Sequence, residues 1–415
     1  MNIPQGYKQT ELGIIPEDWE VVNLGSVAKI NGRIGFRGYT TADLVEVGQG
    51  AYTIGGKHIT NMVLDLHDAE YISWQKYYES PEIMVRKGDI VLAQRGTLGK
   101  SAFIRNDIGP ATINPSLVLI NKIKCDNEYL SYWLQCDKIV EYICAINSQT
   151  SIPMITQNQI EHIPVVLPPI KIEQRAIAEA LSDIDGLIAA LDKKIAKKRL
   201  IKQGTMQQLL TGKKRLPGFT DPWVEKKLGE IGVWVKGQSL SKNDIIPNGK
   251  NICIHYGELF SYGEVITLPV SRTNSQPTTI SLGNEILFPD SDVTPDGLGR
   301  CSALLIKGVI IGSGINVLRH KPLYDTSFVS YSININRSKI IDRVTGTTVK
   351  HINSKELSEI MINIPKNKEE QTAIAKILSD MDKEIADLEA KRDKYRLLKS
   401  GMMQKLLTGQ IRLKK

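Results

Sequence analysis

Along this chain two long stretches of helical periodicity alternate with two blocks of short apolar runs. In the first stretch Ile177, Ile184 and Leu191 recur every seven residues, interleaved by Leu181, Ile188 and Ile195. The second stretch repeats this with Ile374, Met381 and Leu388, interleaved by Leu378 and Ile385. Alternating spacings of four and three residues put these side chains on one seam, as helix-on-helix packing requires. Two such helices in one chain are natural mates. Pro168-Pro169 precedes the first, where a missing N–H costs nothing, and Asn367 with Glu370 predicts a capping box at the start of the second. Thr211-Gly212 and Thr408-Gly409 predict the stops. Gly204 and Gly401 sit inside the helices at matched positions, and either a close helix approach or a local kink would account for them.

The blocks between read as mixed α/β. Ile90-Val91-Leu92, Leu117 to Ile120, Glu285 to Phe288 and Val309-Ile310-Ile311 are short apolar runs bounded by Gly, Asn, Asp and Pro, as strands are. Residues 127 to 145 read as helix. Each block opens alike, with Trp19 and Leu24-Gly25 answering Trp223 and Leu228-Gly229, and closes alike, with Thr150, Ile160 and Ile163 answering Thr347, Leu357 and Ile360. Between those borders the blocks share almost nothing. A common frame with different filling suits two readers of two different targets.

The helical stretches are copies of one another. Residues 173 to 216 and 370 to 413, aligned at an offset of 197, share 26 identities in 44 positions. Solenoid units recur every ~20 to 50 residues and stack. Here each copy is instead followed or preceded by a block of about 150 residues, which predicts two globular modules carried by a helical spacer.

Composition adds constraints. A chain of 415 residues with 41% hydrophobic and 24% charged residues is ordinary globular protein, long enough for two or three domains. No apolar run approaches the ~18 residues of a membrane span and the start Met1-Asn2-Ile3-Pro4-Gln5 has no signal-peptide core, so a cytoplasmic location is expected. Cys125, Cys136, Cys144, Cys253 and Cys301 are odd in number and scattered, which predicts buried free thiols rather than a disulfide framework or a zinc site. Counted as Lys plus Arg against Asp plus Glu, residues 1 to 170 carry 14 against 18 and 216 to 365 carry 15 against 14. Residues 171 to 215 carry 11 against 5, and 366 to 415 carry 13 against 8. The net +8 therefore lies in the helices. That excess invites a nucleic-acid partner, while Lys193, Lys194, Lys197, Lys198, Arg199 and Lys202 would equally suit a solvated helix face.

Catalytic motifs come only as near misses. Gly96-Thr97-Leu98-Gly99-Lys100-Ser101 resembles a phosphate-binding loop, but Gln94 stands where its first glycine belongs. Gly312-Ser313-Gly314 begins a dinucleotide fingerprint that Val317 does not complete. Asn114-Pro115-Ser116 offers half of an amino-methyltransferase motif. After Pro289-Asp290 and Pro295-Asp296 the next glutamate is Glu356, too far for a nuclease set. His58, His67, His162, His255, His320 and His351 form no pair at metal spacing. The chain is expected to be no enzyme, to bind no metal and to carry no cofactor of its own.

These residues resemble the specificity subunits of type I restriction-modification systems over nearly the whole chain. Gly13-Ile14-Ile15-Pro16-Glu17-Asp18-Trp19 is similar to that family's opening. Gly88-Asp89-Ile90-Val91-Leu92 with Arg95-Gly96-Thr97-Leu98-Gly99 resembles its first-domain core, and Ile254-His255-Tyr256-Gly257-Glu258-Leu259 a second-domain segment. Pro168-Pro169, Glu173-Gln174 and Gln207-Gln208-Leu209-Leu210-Thr211-Gly212, echoed near residue 409, are the most specific. Asn363-Ile364-Pro365-Lys366 departs by lacking the second proline, and Phe288-Pro289-Asp290 stands without an Arg-Gly-Thr.

The resemblance implies an α+β chain with a pseudo-twofold internal repeat: target-recognition domains at residues 1–167 and 215–364, and antiparallel coiled-coil spacer helices at 168–214 and 365–415. It implies that each domain reads half of a bipartite double-stranded DNA site. The helices would set the unread gap and dock two modification subunits, which bind S-adenosylmethionine and methylate adenine, with motor-nuclease restriction subunits as further partners. A helix of about 38 residues spans roughly 57 Å, more than one ~34 Å turn of DNA. Reading needs side chains that reach base edges. The candidates are Arg33, Arg37, Lys57, Arg95 and Lys100 in the first domain and Lys242, Arg272, Arg300 and Lys350 in the second, each otherwise a solvated loop charge. A stand-alone modification enzyme and a coiled-coil scaffold with no nucleic-acid role are the rival readings.

Overall fold

The computed structural model describes residues 3–60, 62–147, 153–238, 240–276 and 279–413. It divides into two compact units, Met1–Ala190 with Arg392–Lys415, and Leu191–Lys391. Each unit holds one α/β block, the beginning of one long helix and the end of the other.

In the first unit the hairpin β1 (Tyr7–Thr10) and β2 (Gly13–Pro16) leads into β3 (Glu20–Asn23) and β4 (Lys29–Gly32). β5 (Gly50–Ile54), β6 (Ile90–Ala93), β7 (Ser101–Phe103), β8 (Ala111–Ile113) and β9 (Leu117–Asn121) follow. One sheet has the order β7-β6-β9-β4, with β6 antiparallel to both neighbours. A second sheet pairs β8 in parallel with β5, which continues to the strands Glu70–Ser73 and Leu44–Val45. β6 is buried at all four positions, which is why it reads as an unbroken apolar run rather than an alternation.

The predicted helix 127 to 145 is two helices, α1 (Asn127–Gln135) and α2 (Asp137–Ala145), parted by Cys136 in an extended conformation at ψ 143°. Asp126 caps α1 by accepting from the N–H groups of Glu128 and Tyr129. β10 (Pro164–Leu167) returns antiparallel to β3 and closes the block.

α3 (Lys171–Leu209) runs 39 residues. The second unit continues with β11 (Trp223–Lys227), β12 (Gly232–Lys236), β13 (Asn251–Ile254), β14 (Glu285–Pro289), β15 (Ser302–Leu304), β16 (Lys307–Ile311) and β17 (Ile315–His320). α4 (Thr326–Asn334), β18 (Met361–Pro365) and the 39-residue α5 (Lys368–Leu406) complete it. The order β12-β17-β14-β15 repeats the four-stranded order of the first block with the short strand Val265–Ile266 added beside β15, the parallel pair β13·β16 repeats β5·β8, and β11·β18 repeats β3·β10. The apolar runs expected at 90, 117, 285 and 309 are all strands.

Within each unit the two helix segments run antiparallel. Asp185 pairs with Lys399 and Glu173 with Arg412 in the first; Lys198 with Glu384, Arg199 with Glu389 and Lys202 with Asp382 in the second. Three members of the basic cluster at 193 to 202 are thus spent on ion pairs within the unit, while Lys193, Lys194 and Lys197 stay exposed. Ile177, Leu181, Ile184, Ile195, Ile374, Leu378 and Ile385 are buried, and Ile188, Leu191, Met381 and Leu388 half-buried. The seam is shared. Ile177 and Leu181 belong to the first block's core with Trp19, Tyr129, Trp133 and Leu407, and Ile374 and Leu378 to the second block's core with Phe328 and Leu210.

Gly212 and Gly409 end the helices with φ +71° and +68°, the left-handed backbone glycine supplies at least cost. No neighbour lies within 4 Å of a Cβ built at Gly204 or Gly401, and both helices run through unbroken, which removes close approach as their explanation. The capping box at 367 does not form as expected. Asn367 accepts from the N–H of Glu369, while Glu370 is taken by Arg215.

Candidate nucleic-acid interface

Each block brings the ends of three strands to one corner, and the same main-chain hydrogen bonds build both corners. In the first, Asn114 N donates to Ile54 O at 2.8 Å, Gln94 N to Ser116 O at 2.9 Å and Ile155 N to Gln94 O at 2.9 Å. In the second, Gly312 N donates to Ile254 O at 2.9 Å, Asp290 N to Gly314 O at 3.0 Å and Ile352 N to Asp290 O at 3.1 Å. The frame therefore equates Asn114 with Gly312, Ser116 with Gly314 and Gln94 with Asp290. The turn after each parallel strand is also shared: Gly55 N donates to His58 Nδ1, and His255 N to Glu258 Oε2. The side chains set on these shared bonds differ. The border pair Thr150 and Thr347 cannot be compared, because Thr150 lies outside the described residues.

The first corner is basic and amide-rich. Gly56 N donates to Ser116 Oγ at 3.3 Å, Ser116 Oγ to Asn114 Oδ1 at 2.6 Å and Gln94 Nε2 to Pro115 O at 3.0 Å, so three loops are tied into one edge. Gly96, at φ +81°, turns the chain directly after Arg95. Lys57 and Arg95 both stand exposed on this edge, Lys57 3.6 Å from Asp68 and Arg95 with its guanidinium 3.3 Å from Met154 Sδ. A thioether is a weak acceptor. Lys100 lies lower in the same loop, where its carbonyl accepts from Ala93 N.

Arg33 is a correction to the sequence-based set. It is 8% exposed, and its guanidinium donates to Ile113 O, Thr112 Oγ1 and Arg37 O beneath the corner. Burial pulls its pKa below the ordinary arginine value, with Tyr39 and Glu82 opposing. It braces the loops rather than facing out. Arg37 is half-buried, 3.5 Å from Glu82.

The second corner is acidic and aromatic instead. Asp290 Oδ2 pairs with Lys236 Nζ at 2.9 Å, and His255 and Tyr256 occupy the turn where the first domain has Gly55 and Gly56. Among the predicted residues Arg300 is half-buried, its guanidinium donating to Phe260 O at 2.9 Å and Tyr262 O at 3.0 Å. Lys350 donates to Gly346 O, on a strand paired with Ser291–Asp292. Arg272 is exposed, with one long bond of 3.4 Å to Gly249 O, and Lys242 is exposed at a 3-10 turn. The second set is dispersed, and the corner residues Asp290, His255 and Tyr256 were missed. Their signal was positional: they follow the strands that match those before Gln94 and Gly55.

Among the described residues no group of three or more His, Cys, Asp and Glu is placed to hold a metal ion, and no helix is long and apolar enough to cross a membrane. Cys125, Cys253 and Cys301 are buried as expected; Cys136 is half-buried and Cys144 is exposed, contrary to expectation.

Comparison with known proteins follows the same two-part division. Residues 16–198 and 220–395 each match the family described as Type I restriction modification DNA specificity domain. The chain is 28% identical, over 99% of its own length and 97% of the other's, to a Methanocaldococcus jannaschii protein assigned as the MjaX type I restriction enzyme specificity subunit. It is 25% identical to the MjaVIII specificity subunit of that organism, over 96% and 94% of the two lengths. In fold it is similar to the crystal structure of a type I S subunit from M. genitalium, with a TM-score of 0.64, 16% identity and 98% of both chains covered. A chain from a type I complex-assembly structure gives a TM-score of 0.54 at 18% identity, covering 96% and 99%. With both of its blocks matched, the chain belongs to the type I restriction-modification specificity subunits, the non-catalytic DNA-recognition components of those systems.

Proposed function

We propose that each block reads one half of a bipartite double-stranded DNA site through its corner, and that α3 and α5 set the unread gap. The observation that carries this reading is the pair of corners: one set of main-chain bonds, two unlike sets of side chains. A retained frame with exchanged side chains is what two sequence readers built on one scaffold require, because base edges are told apart by donor and acceptor pattern. Lys57 and Arg95 are the base- or phosphate-contacting candidates of the first corner, and Arg272 and Lys242 remain those of the second domain.

The helices and their flanks dock two modification subunits, which hold S-adenosylmethionine and methylate adenine, and a motor-nuclease subunit joins that assembly in the cytoplasm. The repeat supports this stoichiometry, since two near-equal surfaces suit two copies of one partner. The test is to map methylated adenines in DNA exposed to the reconstituted assembly. The same mapping is repeated after residues 217 to 363 are exchanged for a relative's block. One half of the target should change while the other stays. A change in both halves overturns the two-reader model, and a complete complex without sequence-selective DNA binding would favour the scaffold reading.

A further inference from the structure

We infer that Tyr132 and Tyr331 are the fittings by which two dissimilar recognition domains seat on one repeated pair of helices. Tyr132, on α1 and 1% exposed, donates its hydroxyl hydrogen to Asp185 Oδ2 at 2.7 Å. Lys399 Nζ meets the same carboxylate at 2.7 Å from Oδ1, and stands 5.3 Å from the Tyr132 ring centre. In the other unit Tyr331, on α4, donates to Asp382 Oδ2 at 2.6 Å. Lys202 Nζ lies 2.5 Å from Asp382 Oδ1 and again 5.3 Å from the ring. Each cluster joins three segments: one from the domain and one from each helix.

Two features separate these clusters from ordinary packing. First, Asp185 and Asp382, and Lys202 and Lys399, are identical residues of the repeat that lie off the apolar seam. Second, each tyrosine stands six residues after an aspartate that caps its helix, Asp126 before Tyr132 and Asp325 before Tyr331. That cap is itself held by the spacer. Gln174 Oε1 accepts from Asp126 N at 2.8 Å while its Nε2 donates to Pro168 O, and Gln371 makes the same bonds with Asp325 N and Pro365 O.

Each domain is thereby fastened at two points by a pattern, Asp-x5-Tyr, common to blocks that otherwise share little. Apolar contacts at Ile177 and Leu181 are non-directional and tolerate sliding. A hydroxyl donating to a carboxylate fixes distance and angle. The domains add unlike trim, Arg105 donating to Tyr132 Oη at 3.1 Å in one and Glu264 accepting from Lys202 at 2.9 Å in the other. The joint is constant and its surroundings vary. These tyrosines are therefore positioning residues that set the angle at which each corner is presented.

Amide hydrogen exchange on the whole free chain tests the joint without DNA. Tyr132→Phe keeps the ring and should lower protection of α1 about tenfold, the size expected for a lost bond to a charged group, with α4 unchanged. Tyr331→Phe should do the converse. Tyr132→Phe with Asp185→Asn should lose no more than the worse single change. Lys399→Arg should preserve protection where Lys399→Met does not. Unchanged protection in the tyrosine variants, equal loosening of both domains, or additive losses would overturn the joint. The positioning consequence rests on the DNA-reading function proposed above and is read separately. The Tyr132→Phe assembly should accept gaps one base pair longer or shorter with unaltered base preferences. A loosened α1 with an unchanged gap profile would overturn positioning and leave the DNA reading intact.

Discussion

Arg412 grips Glu173 across 239 residues of sequence, with Nε 2.6 Å from Oε1 and Nη2 2.8 Å from Oε2. Arg215 makes the same two bonds to Glu370, at 2.6 and 2.8 Å. Each arginine also covers the first tryptophan of its block, Trp19 or Trp223. Glu173 and Glu370 are 3% and 0% exposed, so each helix begins with a nearly buried charge that the segment following the other helix neutralises.

Removing Arg412 leaves Glu173 buried without that partner. Arg412→Ala should destabilise the first unit by about 3 kcal/mol, the low end for breaking a buried pair. Its own second bond, to Asp18, lies nearer the surface and adds little. Urea denaturation monitored in both units checks this. Adding Glu173→Gln should recover part of the loss, and a double variant as unstable as Arg412→Ala would show that the buried charge is not the cause.

The thiols should differ sharply in reactivity. Burial pushes Cys125, Cys136 and Cys253 up to about 11 and Cys301 up to about 12, so little thiolate forms at neutral pH. Cys144 is exposed. Iodoacetamide at pH 8, followed by peptide mass mapping, should label Cys144 first and the other four only on unfolding. Equal early labelling of Cys136 would contradict the structure.

His320 gives the second unit an acid sensitivity. Its Nδ1 lies 2.9 Å from Lys321 O and its Nε2 2.9 Å from Thr326 Oγ1, a setting that suits the neutral ring. Burial lowers its pKa from the ordinary 6.5, against the raising effects of the Lys321 carbonyl and Asp325. The unfolded chain therefore binds the proton more readily. The resulting stability is present above pH 6.5 and is lost as pH falls through the lower folded value. Thermal melts of the chain should show a shallower decline below pH 6.5 for His320→Gln than for the native protein. Parallel declines would rule out this histidine as the source.

Arg95 is one of the exposed first-corner cations. Its guanidinium rests on a thioether, a partner readily exchanged for a base edge, and Gly96 lets the loop approach a groove. If Arg95 reads a guanine through two bonds, Arg95→Ala should cost about 1 to 3 kcal/mol at one position of the first half-site. A phosphate contact would instead weaken all sequences evenly and flatten the salt dependence. Affinities for all single-base variants of the mapped site at two salt concentrations distinguish these outcomes. An unaltered profile at both would remove Arg95 from the interface.

The helices and the common borders of the blocks were legible because period and repetition are properties of the string. Ile177 to Leu191 and Ile374 to Leu388 announce a seam whatever they pack against. What they pack against was not legible: Ile177 and Leu181 enter the core of the first block, which depends on contacts far apart in sequence. The burial of Arg33 was not legible for a related reason. Whether a loop arginine faces solvent or main-chain carbonyls is decided by a strand 80 residues away. The polar identities of the repeat, Asp185 with Asp382 and Lys202 with Lys399, held a signal that hydrophobic pattern alone passes over. A polar residue kept in both copies off the apolar seam asks for a partner.

The spacer itself can be lengthened. In each unit the paired positions of α3 and α5 sum to nearly the same number: 185 with 399 in one and 202 with 382 in the other, both 584. Four residues inserted after Ala196 alone would shift the pairs on one side of the insertion relative to their helical partners. A matched insertion after Ala390 in α5 keeps each of these ion pairs, Arg199 with Glu389 included, because both partners then stay on the same side of the added residues. The doubly inserted chain gains about 6 Å of helix at ~1.5 Å per residue, and the four residues turn it by roughly 40° beyond a full turn. Against a DNA rise of ~3.4 Å per base pair, the unread gap should grow by about one or two base pairs while both half-sites stay the same. Single insertion in α3 should instead impair assembly. Mapping methylated adenines with the doubly inserted chain decides the matter, and an active complex with an unchanged gap would show that the helices do not act as the ruler.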